Sequence, residues 1–291
     1  MTRNQDRTGL DTTPAPEHDD PIAQVASTTQ GSQPTQFSWS VPTEFVDIPS
    51  KGEYYPQDHP LSGRESLEIR YMTAKEEDIL TSRALLKEGV ALDRMLTNVL
   101  IDKDLDIGSL LLGDKNALLV AARRTGYGPE YETQVVCPVC AANNEYSFDI
   151  TEPPVTDVAA RLEEWSAEMT GPQTFKLRLP MTSAEVECRF LTSADEHKMI
   201  KENERKAKKK IEIGMTTTAL RSFITAVNED SSPLIIESFI QALPAKDARI
   251  LRNAYAEIVP NINLKQHFEC GNCNYEADME VPLGSDFFWP E

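Results

Sequence analysis

Cysteine and histidine are scarce in this chain of 291 residues, with five copies of one and four of the other. So few thiols exclude a disulfide-dense secreted scaffold, and so few imidazoles leave little material for a histidine-based metal or acid–base site. Long apolar runs are missing too. The longest, such as residues 117–122, fall far short of the ~20 residues that span a bilayer. No apolar stretch follows Arg3 and Arg7 to make a secretory signal. The chain is therefore expected to stay in the reducing compartment where it is made, with no membrane partner. Positive charge is also short: 29 Lys and Arg against 47 Asp and Glu give a net charge of −18. That field repels a phosphate backbone, so nucleic acid is not an expected partner. No glycine-rich phosphate loop, His-Glu-x-x-His or Gly-x-Ser-x-Gly motif occurs, and the chain reads as a non-enzyme.

What is present points to an α+β fold with a polar tail. Hydrophobic residues make up 40%, enough for a core. Residues 1–36 are rich in Thr, Asp, Gln and Pro and nearly lack large apolar residues, which predicts a disordered acidic tail. A turn-rich loop follows at residues 49–56, then a strand at residues 67–71. Thr73 and Glu76 have capping-box spacing and open a helix expected to run through Leu86 to Gly89. Leu92, Met95, Leu96, Val99 and Leu100 mark the next helix, and residues 117–124 a third that stops at Gly126-Tyr127-Gly128. Further on, residues 174–179 and 185–190 alternate as a strand pair. A highly charged helix is expected from 194 to 210, with a narrow apolar stripe of Met199, Ile200, Ala207 and Ile211. Three helices follow, carrying Leu220, Phe223, Ile224 and Val227; Ile236, Phe239, Ile240 and Leu243; and Leu251, Ala254, Tyr255 and Ile258.

The strongest chemical signal is a repeated Cys-x-x-Cys. Cys137 and Cys140 sit between strand-like residues in 131–150, and Cys270 and Cys273 repeat that grammar near the end. A two-residue spacer lets both thiolates of a knuckle face one ion, and two knuckles complete a four-thiolate set. Structural zinc is the expected cofactor, because it suits soft thiolates and four of them leave no open position. An iron–sulfur cluster or disulfides would use the same residues. The ~130 residues between Cys140 and Cys270 make the ion a tie between the middle of the chain and its end. His267 reads as an outward strand residue, and Cys188 as a small buried hydrophobe.

Two further features stand out. Lys198, Lys201, Arg205, Lys206, Lys208, Lys209 and Lys210 concentrate basic charge, interrupted by Glu202 and Glu204, and read first as a solvated helix face. The aromatic end, Phe287-Phe288-Trp289, is expected to fold back over the ribbon, with docking into another protein as the alternative.

Taken in order, several short motifs resemble one family. They are Pro49-Ser50-Lys51-Gly52 with Tyr55-Pro56, Met72-Thr73 with Glu76-Glu77, and Tyr127-Gly128 with Tyr131. The first knuckle, Leu243-Pro244, Pro260, the second knuckle and Phe288-Trp289-Pro290 complete the series. This order resembles the T4-type baseplate hub assembly proteins of contractile-tailed phages, from about residue 42 onward. The resemblance implies a structural or assembly role in the baseplate hub, with phage baseplate or hub proteins as partners. It places the protein in the host cytoplasm during assembly and in the virion tail baseplate. The competing reading is a nucleic-acid-binding zinc-ribbon regulator. Against it, the knuckles are flanked by Glu132, Glu145, Asp149, Glu269, Glu276, Asp278 and Glu280 rather than Lys or Arg. The expected architecture is thus split zinc-ribbon hairpins clasping a mainly helical domain. Its segments are the tail (1–36), a strand-and-helix region (37–130), the first knuckle hairpin (131–150), a strand pair with a helical insert (151–260), and the second knuckle hairpin with the aromatic end (261–291).

Overall fold

In a computed structural model, which describes residues 40–208, 214–281 and 285–288, the chain enters on an antiparallel pair, β1 (Thr43–Asp47) and β2 (Ser66–Arg70). Alternation buries Val46, Leu67 and Ile69 and leaves Phe45 outside. From Val41 onward the chain forms one compact unit. The tail expected over residues 1–36 lies outside the described residues, as do Lys209, Lys210, Ile211 and Trp289.

Thr73 opens α1 (Ala74–Thr81), and its backbone N–H and hydroxyl both donate to Glu76, at 3.0 and 2.8 Å. The single helix expected to reach Gly89 is in fact two. Ser82 takes an extended conformation that ends α1 and begins α2 (Arg83–Glu88), consistent with serine's preference for caps over helix interiors. Gly89 closes α2 at φ 69°, in the left-handed region. The apolar face of α3 (Ala91–Val99) buries Met95, Leu96 and Val99.

Helix α4 (Leu112–Tyr127) is twice as long as its apolar run suggests, and Gly126 lies inside it; Gly128 is the cap. Its first turn holds Gly113, where a Cβ would stand 1.9 Å from the Pro260 carbonyl oxygen. Glycine is needed there for close approach to the chain at 260–261, not for a turn.

Two hairpin strands, β3 (Glu130–Val136) and β4 (Asn143–Asp149), follow, and then α5 (Val158–Glu164), capped by the Asp157 carboxylate. The middle region departs most from expectation. It contains a four-stranded antiparallel sheet of β5 (Glu168–Gly171), β6 (Thr174–Arg178), β7 (Glu185–Arg189) and β8 (Ile224–Val227), in that order. Between β7 and β8 run α6 (Ser193–Lys208) and α7 (Met215–Phe223). Ile224 and Val227, read as helical, belong to β8: pairing with β7 outweighs their helical spacing, and branched side chains favour the strand. The domain between the knuckles is therefore mixed rather than mainly helical.

The apolar stripe expected along α6 is not buried. Met199 is half-buried, Ile200 and Ala207 are exposed, and the helix is anchored by its first turn. There Asp195 accepts from the Thr192 N–H at 3.1 Å and pairs with Arg189 at 2.6 Å. Helices α8 (Pro233–Ala242) and α9 (Ala245–Ile258) precede the final hairpin, β9 (Lys265–Glu269) and β10 (Glu276–Glu280).

Candidate metal centre

Each knuckle forms at the tip of a two-stranded hairpin, and the two are built alike. In the first, the Cys137 N–H bonds the Ala142 carbonyl at 2.9 Å, and the Ala141 N–H returns to the Cys137 carbonyl at 2.9 Å. In the second, Cys270 and Tyr275 are joined at 2.8 Å, and Asn274 and Cys270 at 2.9 Å. Ala141 and Asn274 both take positive φ, at 56° and 54°. This left-handed step folds the knuckle so that its two sulfurs face one point.

The hairpins meet through β4 and β9. Asn144 accepts the Gly271 N–H at 3.0 Å, linking one knuckle to the other, and Gln266 accepts the Asp149 N–H at 3.1 Å. Tyr146 donates its hydroxyl to the His267 carbonyl. Its ring contacts Phe148 and Phe268, both fully buried, at centroid distances of 5.0 and 5.5 Å. The aromatic seam fixes the two hairpins at the distance their cysteines need.

The four sulfurs, Cys137, Cys140, Cys270 and Cys273, all lie within 4.8 Å of one another. Across the hairpins, Cys137 and Cys273 are 3.7 Å apart, as are Cys140 and Cys270. A disulfide needs about 2.05 Å. A regular tetrahedron with metal–sulfur bonds of 2.3 Å has an edge of about 3.8 Å. The donor set therefore fits a tetrahedral thiolate metal. Cys137 and Cys270 are buried, Cys140 is half-buried, and Cys273 is exposed.

The thiols of the cluster differ in how readily they ionise. Backbone N–H groups of Asn272 and Cys273 draw the Cys270 thiol down to about 6, and the Asn272 side chain with the Ala142 N–H lowers Cys140. For Cys273 the Tyr275 N–H favours the thiolate, but local desolvation and the three neighbouring sulfurs push it up to about 12. Four crowded sulfurs resist full ionisation by themselves, and a bound divalent ion would offset the repulsion among their thiolates.

The other candidates fall elsewhere. His267 is exposed on β9 and faces Asp278 at 4.0 Å, outside the sulfur cluster. Cys188 is buried in β7, where burial raises its thiol; it is a packing residue. Phe287 and Phe288 do fold back, each 1% exposed. They land at the base of the first hairpin, not over the knuckles: Phe287 meets Tyr131 at 5.0 Å. The buried Arg123 of α4 holds them there, donating Nε to the Phe287 carbonyl at 2.7 Å and lying 5.0 Å from the Tyr127 ring.

A second buried polar node escaped the sequence reading. The Asp114 carboxylate accepts the Ser50 N–H at 2.9 Å and the Ser50 and Tyr55 hydroxyls, both at 2.6 Å. The Tyr55 oxygen in turn accepts the Leu111 N–H at 2.9 Å. Burial lifts the Asp114 carboxyl above its ordinary range against these bonds, and burial with Asp114 keeps the Tyr55 proton in place. Ser50 and Tyr55, from the first family-like motif, thus lock the 49–56 loop to α4. Their role is architectural.

Comparison with curated proteins and with solved structures gives no match. A family profile does match, described as T4 bacteriophage base plate protein, and it covers residues 43–289. That span takes in both knuckles, the Asp114 node and the packed Phe287, so the chain belongs to the T4 bacteriophage base plate protein family.

Proposed function

We infer that the protein is a structural or assembly component of the baseplate hub in a contractile-tailed phage, with one zinc ion held by Cys137, Cys140, Cys270 and Cys273. Family membership across residues 43–289 is the observation that carries the phage role. It supports phage baseplate or hub proteins as the direct partners, assembly in the host cytoplasm, and a place in the tail baseplate. The sulfur geometry supports zinc: four thiolates at tetrahedral spacing close the coordination shell, which suits a structural ion and leaves no site for substrate. We read the protein accordingly as a non-enzyme.

The ion's work is mechanical. It joins β3–β4 to β9–β10, whose knuckles are separated by 130 residues, and its binding energy becomes folding energy of the whole unit. The regulator reading gains nothing from the ribbon, whose exposed acids would repel a polyanion.

Inactivating the gene in its phage tests the role. The expected result is tails or tail precursors without complete baseplates, rescued by the wild-type gene supplied in trans. Normal baseplates in the mutant lysate would refute the assignment.

A further inference from the structure

The β1–β2 pair turns one face to the core, through Val46, Leu67 and Ile69, and the other face outward. On the outer face stand Thr43, Phe45 and Asp47, all exposed, with Phe45 at 68%. Phe45 lies directly across from the half-buried Glu68. Beyond Glu68, the Ile101 N–H donates to the Glu68 carbonyl at 3.0 Å, and the Ile101 side chain is 43% exposed. Two large apolar side chains thus flank one acid. Charge on this face is acidic: Arg70 is taken up by Glu76 at 2.7 Å, whereas Asp47 and Glu68 make no ion pair among the described residues.

The edge of β1 is open as well. The Tyr71 N–H donates to the Pro42 carbonyl, and the Ile48 N–H to the Glu65 carbonyl, both at 2.9 Å. These two bonds fix the ladder: Pro42, Glu44, Val46 and Ile48 bond toward β2. The N–H and C=O groups of Thr43, Phe45 and Asp47 therefore point the other way. Among the described residues no strand pairs with that edge, whereas the far edge of β2 is met by Leu100. An unpaired edge beside an exposed phenylalanine is a template for a further extended segment.

We propose that β1 adds an extended strand of another baseplate protein to its free edge, an inference that rests on the baseplate role given above. The docked segment carries an apolar side chain beside Phe45. Two residues along, on the same face, it carries a Lys or Arg beside Asp47. Main-chain hydrogen bonds supply the affinity, and these two side chains select the partner. Charge favours another protein over a second copy, because this face is acidic and two chains of net charge −18 repel.

Proline tests the edge selectively. Phe45→Pro removes an N–H that faces away from β2, so β1 stays paired with β2 while strand addition is blocked. Asp47→Lys keeps the edge and repels the basic side chain of the partner. Both variants melt close to the wild type, yet supplied in trans to the gene-inactivated phage each yields at least about tenfold fewer complete baseplates. The Phe45 and Asp47 amides exchange freely in the isolated chain and at least about tenfold more slowly in assembled baseplates. Full rescue by either folded variant, where the wild-type gene also rescues, would overturn the proposal and leave the baseplate role standing. Failure of the wild-type gene to rescue would refute that role and the proposal with it. Amides equally free in baseplates would overturn the proposal. So would amides already slow in the isolated chain, which assign the edge to the chain's own N-terminal residues or to a second copy.

Discussion

Replacing Tyr55 with Phe isolates the buried node that joins the 49–56 loop to α4. The ring stays, along with its stacking on His59 at 4.4 Å, so apolar burial hardly changes. What disappears is the hydroxyl, which donates to Asp114 at 2.6 Å and accepts from the Leu111 N–H at 2.9 Å. A hydrogen bond to a charged acceptor contributes about 1.5–3 kcal/mol, and stranding a buried N–H costs a further 1–3 kcal/mol or so. The expected loss is therefore about 3–5 kcal/mol, or a Tm lower by roughly 10 °C for a unit of this size. Urea denaturation should show a lower midpoint with an unchanged slope. Ser50→Ala removes one bond to the same carboxylate and the longer bond, 3.2 Å, that its hydroxyl accepts from the Gly52 N–H, but leaves the Ser50 N–H in place, so it should cost somewhat less, about 2–3 kcal/mol. Because both side chains act on Asp114, the double variant should depart from additivity by about 1 kcal/mol. A Tyr55→Phe loss under about 1 kcal/mol, or strict additivity, would refute the reasoning.

Gly113→Ala should cost at least about 2 kcal/mol, since its Cβ meets backbone at 260–261. Gly126→Ala, which meets only the flexible Met72 side chain, should be near neutral; equal melting of the two variants counts against this packing. Phe287→Ala should lose about 3–5 kcal/mol in chemical denaturation, because the ring is buried against Tyr131 and Arg123. Glu76 gives an acid limb. Burial opposes its charge, but hydrogen bonds from Arg70 and Thr73 bring its carboxyl down to about 2 from an ordinary 4.5. The unfolded chain then binds the proton more tightly, so this stability is complete above pH 4.5 and is lost as pH falls toward 2. The contribution is about 3 kcal/mol, and Glu76→Gln should flatten the stability curve over that window.

Features with a local grammar were legible in the sequence. Cys137 and Cys140 lie two intervening residues apart between alternating strands, and the same pattern recurs at Cys270 and Cys273, so both hairpins could be read without tertiary information. The Thr73–Glu76 cap and the Gly89 stop were legible for the same reason. Long-range pairing was not. Ile224 and Val227 match a helical face as well as a strand, and only β7 alongside decides between them. Asp114 and Arg123 looked like ordinary helix charges, since the partners that bury them, Tyr55 and Phe287, lie 59 and 164 residues away. Charged residues bracketing an apolar run, Asp114 and Lys115 before residues 117–122 and Arg123 and Arg124 after them, were the available signal. The early start of α4 was masked by Gly113, whose purpose is contact with Pro260.

Metal content tests the central claim most directly. Protein purified without chelators should show one zinc per chain by elemental analysis and by native mass, with four thiols protected from alkylation until the metal is removed. Cys270→Ser should lose the zinc and lower the melting temperature of the whole unit, because the tie from Cys140 to Cys270 is broken. A chain without zinc, the visible absorbance of an iron–sulfur cluster, or disulfides in place of thiols would contradict the account.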